Sequence, residues 1–222
     1  MNHLNHIAFI MDGNGRWGKK NKKGRNYGHL KGVETVKKIV KASIKFKIPI
    51  LTFYVFSSEN WRRPQYERTY LFKLIKNYFS KEIQNLIRQE IKINIFGEMK
   101  KLPSDLKLVL KKSMELTSNN KKITVNLAIN YGSKMEILQA IKKVKKKATL
   151  QSIEKNMYTK NIPDPDILIR TGGHQRLSNF LLWQLSYTEL FFLKKLWPDF
   201  NSNDLYKVIE KYKKIKRNFG KI

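Results

Sequence analysis

Three short segments of this 222-residue chain combine carboxylates, arginines and glycines in patterns that suit the binding of phosphate groups. In the first, an apolar run over residues 7–11 ends at Asp12, and a glycine-rich turn follows. A carboxylate at that position can hold a hard cation, while backbone N–H groups and arginines can bind a diphosphate bridged to the cation. The candidates for these phosphate contacts are Gly13, Asn14, Gly15, Arg16 and Arg25.

The glycines of this segment also satisfy the G-x-G-x-x-G pattern of dinucleotide-binding proteins, through Gly13, Gly15 and Gly18. That motif requires a helix that opens within the glycine run and is packed by apolar residues. Here the chain continues as KKNKKGR, with no apolar residue before Tyr27. The sequence therefore does not favour such a helix, and we reject the dinucleotide interpretation.

The second segment, residues 56–64, has the sequence FSSENWRRP and follows a strand candidate. Because ligands of open α/β sheets bind beyond the carboxyl ends of the strands, it should lie near the first segment. Taken alone, it is equally well interpreted as a polar, well-capped loop between a strand and a helix.

The third segment, residues 164–179, is a strand candidate that runs into a glycine turn with two arginines and a hydroxyl. Arg170, Arg176 and Ser178 could hold a second diphosphate. Further on, Glu189 is a carboxylate within an apolar, aromatic run. Because such residues are usually paired when buried, a metal-linked role and a structural salt bridge both remain open for Glu189.

The elements that must position these residues alternate between short apolar runs and amphipathic segments. We predict strands over residues 7–11, 50–57, 91–96, 123–130 and 166–170. We predict helices over residues 29–46, 66–88, 103–117, 133–147 and 203–217. This alternation predicts an α/β fold, with a mostly parallel central sheet flanked by helices, as a single domain over residues 1–222.

The predicted helix over residues 66–88 carries a long stripe of large apolar side chains at helical spacing. A stripe of this kind is typical of a helix face that packs on the core, but it could also wall an apolar cavity. Its members are Leu71, Leu74, Ile75, Tyr78, Phe79, Ile83, Leu86 and Ile87.

The charge balance is strongly basic, with 46 Lys and Arg against 17 Asp and Glu and a net charge of +29. Such a field attracts nucleic acid, anionic lipid or phosphorylated substrates, although a codon bias toward lysine would also produce it. The lysines are dispersed and no nucleic-acid-binding motif is present, so we predict no specific nucleic acid partner. The absence of cysteine excludes disulfides, thiolate zinc sites and a cysteine nucleophile.

The apolar runs are too short for a membrane span or for the core of a signal peptide. The longest cover residues 50–56 and 190–193, and the run over residues 7–11 meets Asp12 at once. We therefore predict a cytoplasmic protein, and a peripheral contact with the inner face of the membrane remains open.

In their order along the chain, the three segments and two others resemble undecaprenyl diphosphate synthases, which are cis-prenyltransferases. The matching stretches are IAFIMDGNGRW, FSSENW-x-RP, NLAINYG, DILIRTGG-x-QRLSNFLLWQ and LWPDF. The resemblance implies a Mg²⁺-dependent homodimer with an elongated apolar tunnel. It also implies condensation of isopentenyl diphosphate onto an allylic primer such as farnesyl diphosphate. The expected product is a long polyprenyl diphosphate such as undecaprenyl diphosphate, the lipid-carrier precursor for cell-wall glycan synthesis.

The resemblance also implies roles for individual residues. Asp12 would bind Mg²⁺ on the allylic diphosphate, Glu189 of the partner subunit would complete the metal site, and Asn60 would assist proton removal. Contacts with the allylic substrate would come from Gly13, Asn14, Gly15, Arg16, Trp17, Arg25 and His29. The junction between the two substrates would be lined by Ser57, Ser58, Glu59, Asn60, Trp61 and Arg63. Isopentenyl diphosphate would be held by Arg170, Arg176 and Ser178, and Glu67 matches a further carboxylate near the substrates.

The chain departs from the pattern of this family at three places. His174 stands where the family commonly has Glu, and Ser133 and Lys134 replace the usual Gly-Arg. The motif over residues 217–220 is reduced. None of these departures removes a residue to which the resemblance gives a central role.

Overall fold

A computed structural model describes residues 2–145 and 147–218. Phe219 and Gly220 of the reduced carboxyl-terminal motif lie outside the described residues. Within the described part, six strands form one sheet in the order β3-β4-β2-β1-β5-β6, and all neighbouring strands are parallel. The strands are β1 (His6–Ile10), β2 (Ile50–Ser57), β3 (Ile91–Phe96), β4 (Ile123–Tyr131), β5 (Ile167–Arg170) and β6 (Glu189–Phe192).

Helices flank this sheet, so the predicted fold class is confirmed. The α-helices of the described residues are α1 (Asn14–Lys20), α2 (Gly24–Lys45), α3 (Gln65–Arg88), α4 (Ser104–Leu116), α5 (Ser133–Lys143), α6 (Leu150–Glu154) and α7 (Ser202–Lys213). Two 3-10 helices cover Ser58–Arg62 and Trp197–Asp199. None of the helices in the described ranges combines the length and hydropathy that a bilayer crossing requires.

One expectation about local structure was wrong, and one strand was not predicted. Helix α1 does open inside the glycine run, directly after Gly13, whose φ of 111° lies in the left-handed region. Apolar side chains are not needed there because α1 and α2 meet through glycine backbones: a Cβ on Gly28 would lie 1.9 Å from the carbonyl oxygen of Asn14. Strand β6 was not predicted, since an isolated run of four residues carries little periodic signal.

The core lies on both faces of the sheet because side chains alternate along each strand. On β1, Ile7 and Phe9 join the cluster that packs beneath α2, α3, α4 and α7. Ala8 and Ile10 face the opposite layer, where Phe180 covers them. Strands buried on both faces read as continuous apolar runs, which explains why the strand predictions were accurate to within one residue at each end.

A chain of buried and half-buried polar side chains also crosses four neighbouring strands. His6 Nε2 lies 2.7 Å from Thr52 Oγ1, which accepts a hydrogen bond of 3.1 Å from Asn126 Nδ2. Asn126 Oδ1 in turn accepts a hydrogen bond of 3.0 Å from Asn94. His6 Nδ1 lies 2.6 Å from the Pro163 carbonyl oxygen, so both ring nitrogens are satisfied within the protein.

Candidate active site

The loops that follow β1, β2 and β5 meet at one edge of the sheet because these strands are neighbours and parallel. Asp12 lies just beyond β1, and its backbone is fixed by the opposite loops. Its carbonyl oxygen accepts hydrogen bonds from Trp197 N at 3.0 Å and from Thr171 Oγ1 at 2.8 Å. The carboxylate is thereby presented at the carboxyl ends of the strands, where open α/β sheets bind their ligands.

Two arginines bind the Asp12 carboxylate, one on each oxygen. Arg16 Nη2 lies 3.1 Å from Oδ1, and Arg170 Nη2 lies 3.0 Å from Oδ2. Arg170 is almost completely buried, and its Nη1 also donates to Ser178 Oγ at 2.8 Å and to the Arg176 carbonyl oxygen. Its Nε atom is buried without a hydrogen-bond partner, which leaves one donor of the guanidinium unused.

The close approach of the loops after β1 and β5 depends on Gly172. Its φ of +87° is left-handed, and a Cβ there would lie 2.5 Å from Arg16 Nη2 and 3.0 Å from Asp12 Cγ. Glycine is therefore the only residue that brings these charged groups together without displacing them.

A polar cavity opens at this edge of the sheet, and nine of the predicted site residues line it. They are Asp12, Asn14, His29, Ser57, Asn60, Arg63, Arg170, Arg176 and Ser178. The first, second and third segments all contribute, as their positions after parallel strands predicted. Three arginines near one carboxylate give the cavity the charge that suits diphosphate groups.

A second carboxylate, Glu67 on α3, is buried among three cationic or titratable side chains. Arg25 binds it with two hydrogen bonds of 3.0 and 3.1 Å, and Arg63 Nη1 donates at 3.0 Å. Burial disfavours the charged carboxylate, but the hydrogen bonds from Arg25 and the charge of Arg63 outweigh it and lower the pKa of Glu67. In this structure Arg25 is thus a partner of Glu67, although it was predicted as a direct phosphate contact.

His29 Nε2 lies 3.4 Å from Glu67 Oε1, outside hydrogen-bonding geometry, and it lines the polar cavity. Burial first, and then the charge of Arg63, lower the pKa of His29 to about 4. The imidazole is therefore neutral near pH 7 and can accept or donate one hydrogen bond without adding charge.

The loop after β2 is shaped by Asn60. Its Oδ1 accepts a hydrogen bond of 3.1 Å from Ser57 N in a reciprocal capping box at the start of the Ser58–Arg62 helix. Glu59 faces away from the cavity lining and accepts hydrogen bonds from Asn179 at 2.7 Å and from Ser58 at 3.1 Å. The second segment is therefore a well-capped loop, as one of its two interpretations held. Its residues Ser57 and Asn60 nevertheless line the cavity.

Several predicted residues lie outside the polar cavity. Trp17 Nε1 donates to Asp199 at 2.6 Å, and its ring stacks on Tyr27. Trp61 packs in the core and donates to Asn130 at 2.7 Å. The cavity lining likewise contains none of Gly13, Gly15, Arg16, Arg25, Ser58 and Glu59.

Glu189 lies at the far end of the sheet from Asp12. It pairs in register with Ile167, whereas Arg170 stands three residues further along β5, about 10 Å away at the usual strand rise. Within one chain, Glu189 lies 3.8 Å from Arg217 Nε, which matches the structural salt bridge left open above. A metal role for Glu189 therefore requires a second copy of the chain.

The sequence analysis missed three residues that shape the site. Tyr54 lines the cavity, and its hydroxyl lies 3.1 and 3.3 Å from the carbonyl oxygens of Tyr131 and Ser178, between which its one hydrogen is shared. Thr171 and Trp197 hold the backbone of Asp12. Thr171 directly follows β5, so its place at a strand end was a usable signal, whereas the contact of Trp197 had none.

An apolar cavity adjoins the polar one, with Met11, Asn14, His29, Val55 and Leu71 in both walls. It lies between α2, α3 and the sheet, and it includes Leu71, Leu74, Ile75, Tyr78 and Phe79 of the predicted stripe. The stripe also belongs to the core, through Leu71, Ile75, Phe79 and Leu86. Both interpretations of the stripe are therefore correct for parts of it.

The donor set at Asp12 fits a cation shared with a phosphate ligand. A carboxylate has about four acceptor positions, and only two are occupied by arginines. No group of three His, Asp or Glu side chains within the described residues forms a metal cage. Mg²⁺ is commonly held by one or two carboxylates together with waters and substrate phosphates, so the single carboxylate of Asp12 would serve with a phosphate ligand beside it.

The chain matches the prenyltransferase family model of undecaprenyl diphosphate synthase over residues 10–220. It belongs to this family. The prenyltransferase is 44% identical to an isoprenyl transferase of Prochlorococcus marinus over 227 residues, which covers 98% of this chain and 84% of the relative. It is 41% identical to an isoprenyl transferase of Rickettsia typhi over the full length of both chains.

Solved structures agree with this assignment. The prenyltransferase superposes on lavandulyl diphosphate synthase from Lavandula x intermedia, solved in complex with dimethylallyl diphosphate. The TM-score is 0.94 at 31% identity, with 98% of each chain covered. A probable undecaprenyl diphosphate synthase from Campylobacter jejuni gives a TM-score of 0.85 at 30% identity over the whole of both chains. This prenyltransferase is accordingly an enzyme of prenyl-group transfer.

Proposed function

We propose that this prenyltransferase condenses isopentenyl diphosphate units onto an allylic diphosphate, with farnesyl diphosphate as the expected primer. The product would be a long polyprenyl diphosphate such as undecaprenyl diphosphate, a lipid-carrier precursor for cell-wall glycan synthesis. The observation that carries the proposal is the polar, arginine-bearing cavity that shares a wall with an apolar one. A prenyl diphosphate needs both cavities, because its diphosphate head is polar and charged and its hydrocarbon chain is apolar. The allylic diphosphate bound to the lavandulyl diphosphate synthase supports the same substrate class.

In the proposed reaction, the carbon–oxygen bond of the allylic diphosphate breaks, and its electron pair leaves with the diphosphate. The alkene of isopentenyl diphosphate supplies the electron pair for the new carbon–carbon bond, and one proton is then lost. Negative charge grows on the leaving diphosphate, so preorganised donors beside it lower the barrier. Arg16, which binds Asp12, and Arg63 in the cavity lining would serve this purpose.

We propose that Asp12 holds Mg²⁺ together with the allylic diphosphate. When bound there, Mg²⁺ would supply positive charge to the leaving group. The arginines on both carboxylate oxygens would fix the orientation of Asp12 before substrate binds. Arg170, Arg176 and Ser178 would hold isopentenyl diphosphate, and they already form one hydrogen-bonded unit.

Asn60 remains the candidate for assisting proton removal. One lone pair of its Oδ1 is used by Ser57 N, which fixes the amide in the cavity wall. The second lone pair of Asn60 Oδ1 and the N–H groups of the amide would then orient either the substrate that loses the proton or the group that accepts the proton. The amide is too weakly basic to keep the proton, so its role would be positional.

We further propose a homodimer that contacts the inner face of the membrane from the cytoplasm. Helix α5 exposes Met135, Leu138 and Ile141, and edge strand β6 exposes Leu190, each by more than 40%. Exposed apolar side chains of this size are typical of surfaces that pair with a second chain. The net charge of +29 suits anionic lipid, to which a long polyprenyl product would be delivered.

The proposed function is tested by incubating purified protein with farnesyl diphosphate, labelled isopentenyl diphosphate and Mg²⁺, then sizing the products. We expect a ladder of elongated diphosphates, and we expect its loss when the metal is removed by a chelator. An absence of any elongated product, with farnesyl or a shorter allylic primer, would refute the proposal. Product formation that is insensitive to the chelator would refute only the Mg²⁺ requirement.

A further inference from the structure

Three loops meet behind the wall of the polar cavity, at the backbone of Gly132. They are the loop after β2, the loop after β4 and the segment that follows the glycine turn of β5. A Cβ on Gly132 would lie 2.5 Å from Ser58 Oγ and 2.7 Å from Asn179 Nδ2, so a larger residue would displace both side chains. None of these three residues belongs to the cavity lining, so the junction supports the wall rather than forming it.

Asn179 joins all three loops through hydrogen bonds. Its Nδ2 donates to Glu59 Oε1 at 2.7 Å, and its Oδ1 accepts from Lys134 N at 2.9 Å. Its carbonyl oxygen accepts from Ser133 N at 2.8 Å. Because one end of the amide donates and the other accepts, its partners fix the orientation of the side chain.

Glu59 is the charged end of this junction. Its Oε2 accepts a second hydrogen bond, from Ser58 Oγ at 3.1 Å. Burial disfavours the charged carboxylate, but the hydrogen bonds from Asn179 and Ser58 outweigh it and lower the pKa of Glu59. The hydrogen bond from Asn179 is therefore charge-assisted, which makes it stronger than one between neutral groups. The family resemblance implied a substrate contact for Glu59, whereas the structure shows a residue that holds a neighbouring loop.

The segment that Asn179 holds has an unfavourable backbone conformation. Ser178, Asn179 and Leu181 have positive φ values of 52°, 61° and 47°, in a region that few residues other than glycine adopt. Such a conformation persists only where its surroundings enforce it. One further restraint is the hydrogen bond of 2.9 Å from Leu182 N to Ser133 Oγ, which the glycine usual in the family at position 133 could not accept. When its restraints are lost, this segment should relax, whereas the loop after β2 keeps its own capping box.

The strained segment also sets the position of a cavity side chain. Ser178 directly precedes Asn179, lines the polar cavity and accepts a hydrogen bond of 2.8 Å from Arg170 Nη1. Arg170 also donates to the carbonyl oxygen of Arg176, which precedes Ser178 by two residues. Relaxation of the segment would move both of these acceptors. The contact between Glu59 and Asn179 therefore acts on the cavity from outside it.

We propose that Asn179, tied to Glu59, is a positioning residue for the isopentenyl diphosphate site. It acts through Ser178 and through the partners of Arg170, and it does not touch the substrate. Because Glu59 stands on the loop after β2, the tie also keeps the two sides of the cavity at a fixed separation. The inference rests on the proposed function and adds to it the side chains that hold the second diphosphate site in place.

The experiment breaks the contact from each side and then restores it with donor and acceptor exchanged. Asn179→Asp keeps an acceptor for Lys134 N but sets a carboxylate against Glu59, and Glu59→Ala removes the acceptor. We expect each variant to raise KM for isopentenyl diphosphate about fivefold, as for the loss of one typical hydrogen bond, with KM for farnesyl diphosphate near its wild-type value. In the double variant Glu59→Gln/Asn179→Asp, the new amide can donate to the new carboxylate, and KM should return toward the wild-type value.

Two comparisons separate this contact from a general effect of charge. Glu59→Ala removes a negative charge near an anionic substrate, which by itself would lower KM, so a rise identifies the lost contact. The matched control is Asn85→Asp, because Asn85 Nδ2 donates to Glu82 Oε2 at 3.0 Å on α3 and neither residue lines the polar cavity. Asn85→Asp should leave KM for isopentenyl diphosphate unchanged.

An unchanged KM for isopentenyl diphosphate in folded Glu59→Ala and Asn179→Asp would overturn the inference. So would parallel rises in KM for both substrates, or a double variant no better than Asn179→Asp. Circular dichroism and thermal unfolding identify folded variants, and Glu59→Ala tests the inference even if Asn179→Asp is unstable. An inability of the wild type to elongate any primer would refute the proposed function instead, and is thus distinguishable.

Discussion

At the scale of single residues, Asp12 lines the polar cavity and is held between two arginines. The arginines use two of the roughly four acceptor positions of its carboxylate, which leaves two for a ligand. We expect Asp12→Asn to lower turnover by several orders of magnitude, because the amide cannot balance the charge of a cation shared with the leaving diphosphate. The asparagine oxygen can still accept from Arg170, so the fold should persist. Steady-state kinetics at saturating Mg²⁺ measure the loss.

A suitable control is Asp105→Asn, which removes an exposed carboxylate paired with Lys76 far from the cavity. This variant should keep wild-type turnover. If Asp12→Asn retains more than about a tenth of the wild-type rate, an effect below ~1.4 kcal/mol, the metal-linked role of Asp12 is wrong.

His6 gives the fold a dependence on pH that is separate from catalysis. Burial, only partly opposed by the contact with Pro163 and by the charge of Asp166, lowers the pKa of His6 to about 4. The unfolded chain takes up this proton near pH 6.5, so the stabilising contribution is full above that pH and is lost as pH falls toward 4.

We therefore expect the free energy of unfolding to fall between pH 7 and pH 5 by about 2 kcal/mol more in the wild type than in His6→Gln. The other buried histidine, His29, is common to both proteins and cancels in the comparison. Urea titrations at the two pH values provide the measurement. Identical pH slopes for the two proteins would mean that His6 does not remain neutral in the fold.

At the scale of elements, the active-site edge is built by loops that approach each other more closely than side chains usually allow. Gly172 and Gly173 both have positive φ values, of 87° and 79°. A Cβ on Gly172 would strike Arg16 and crowd Asp12, whereas the nearest atom to a Cβ on Gly173 is 3.9 Å away. A side chain at Gly173 would therefore strain only the backbone, whereas a side chain at Gly172 would also displace charged groups of the site.

We expect Gly172→Ala and Gly173→Ala to lose similar stability from the left-handed backbone, roughly 1–2 kcal/mol each. Gly172→Ala should in addition lower turnover at least tenfold relative to Gly173→Ala, because Arg16 and the Asp12 carboxylate must move. Turnover and unfolding free energy are measured on both variants. Equal turnover in Gly172→Ala and Gly173→Ala would show that the close approach of the loops after β1 and β5 does not control the reaction rate.

At the scale of the whole molecule, the position of Glu189 decides whether a complete site needs two chains. Glu189 and Asp12 stand at opposite ends of β5 and its neighbours, so one chain cannot bring both to the same ion. If the partner's Glu189 completes the site of each chain in a homodimer, mixed dimers of complementary variants should regain activity.

We expect Asp12→Asn and Glu189→Gln to be weakly active alone and to recover about a quarter of wild-type turnover when unfolded together and refolded at equal ratio. When the two variants pair at random, half of the dimers contain one chain of each variant. Such a mixed dimer has two sites, and one of them keeps both Asp12 and Glu189. Sedimentation confirms the dimer, and refolding each variant by itself is the control. Full activity of Glu189→Gln alone would leave this residue as the salt-bridge partner of Arg217.

The sequence by itself determined the architecture and the three segments of the site. Strands of a parallel sheet are buried on both faces, so their apolar runs are visible without the structure. Since parallel strands end at one edge, the residues after β1, β2 and β5 had to converge there. Asp12, Ser57 and Arg170 stand at or next to those strand ends, so the convergence of the three segments follows from that rule.

Only the tertiary structure decided which of these polar side chains face the ligand and which serve one another. Arg25 binds Glu67, 42 residues away, and Trp17 binds Asp199, 182 residues away. Asp12 and Arg170 are separated by 158 residues. Local periodicity reports how a residue sits on its own helix or strand, whereas these partnerships depend on how distant loops pack. For the same reason, the glycine contacts of α1 emerged only from the assembled fold.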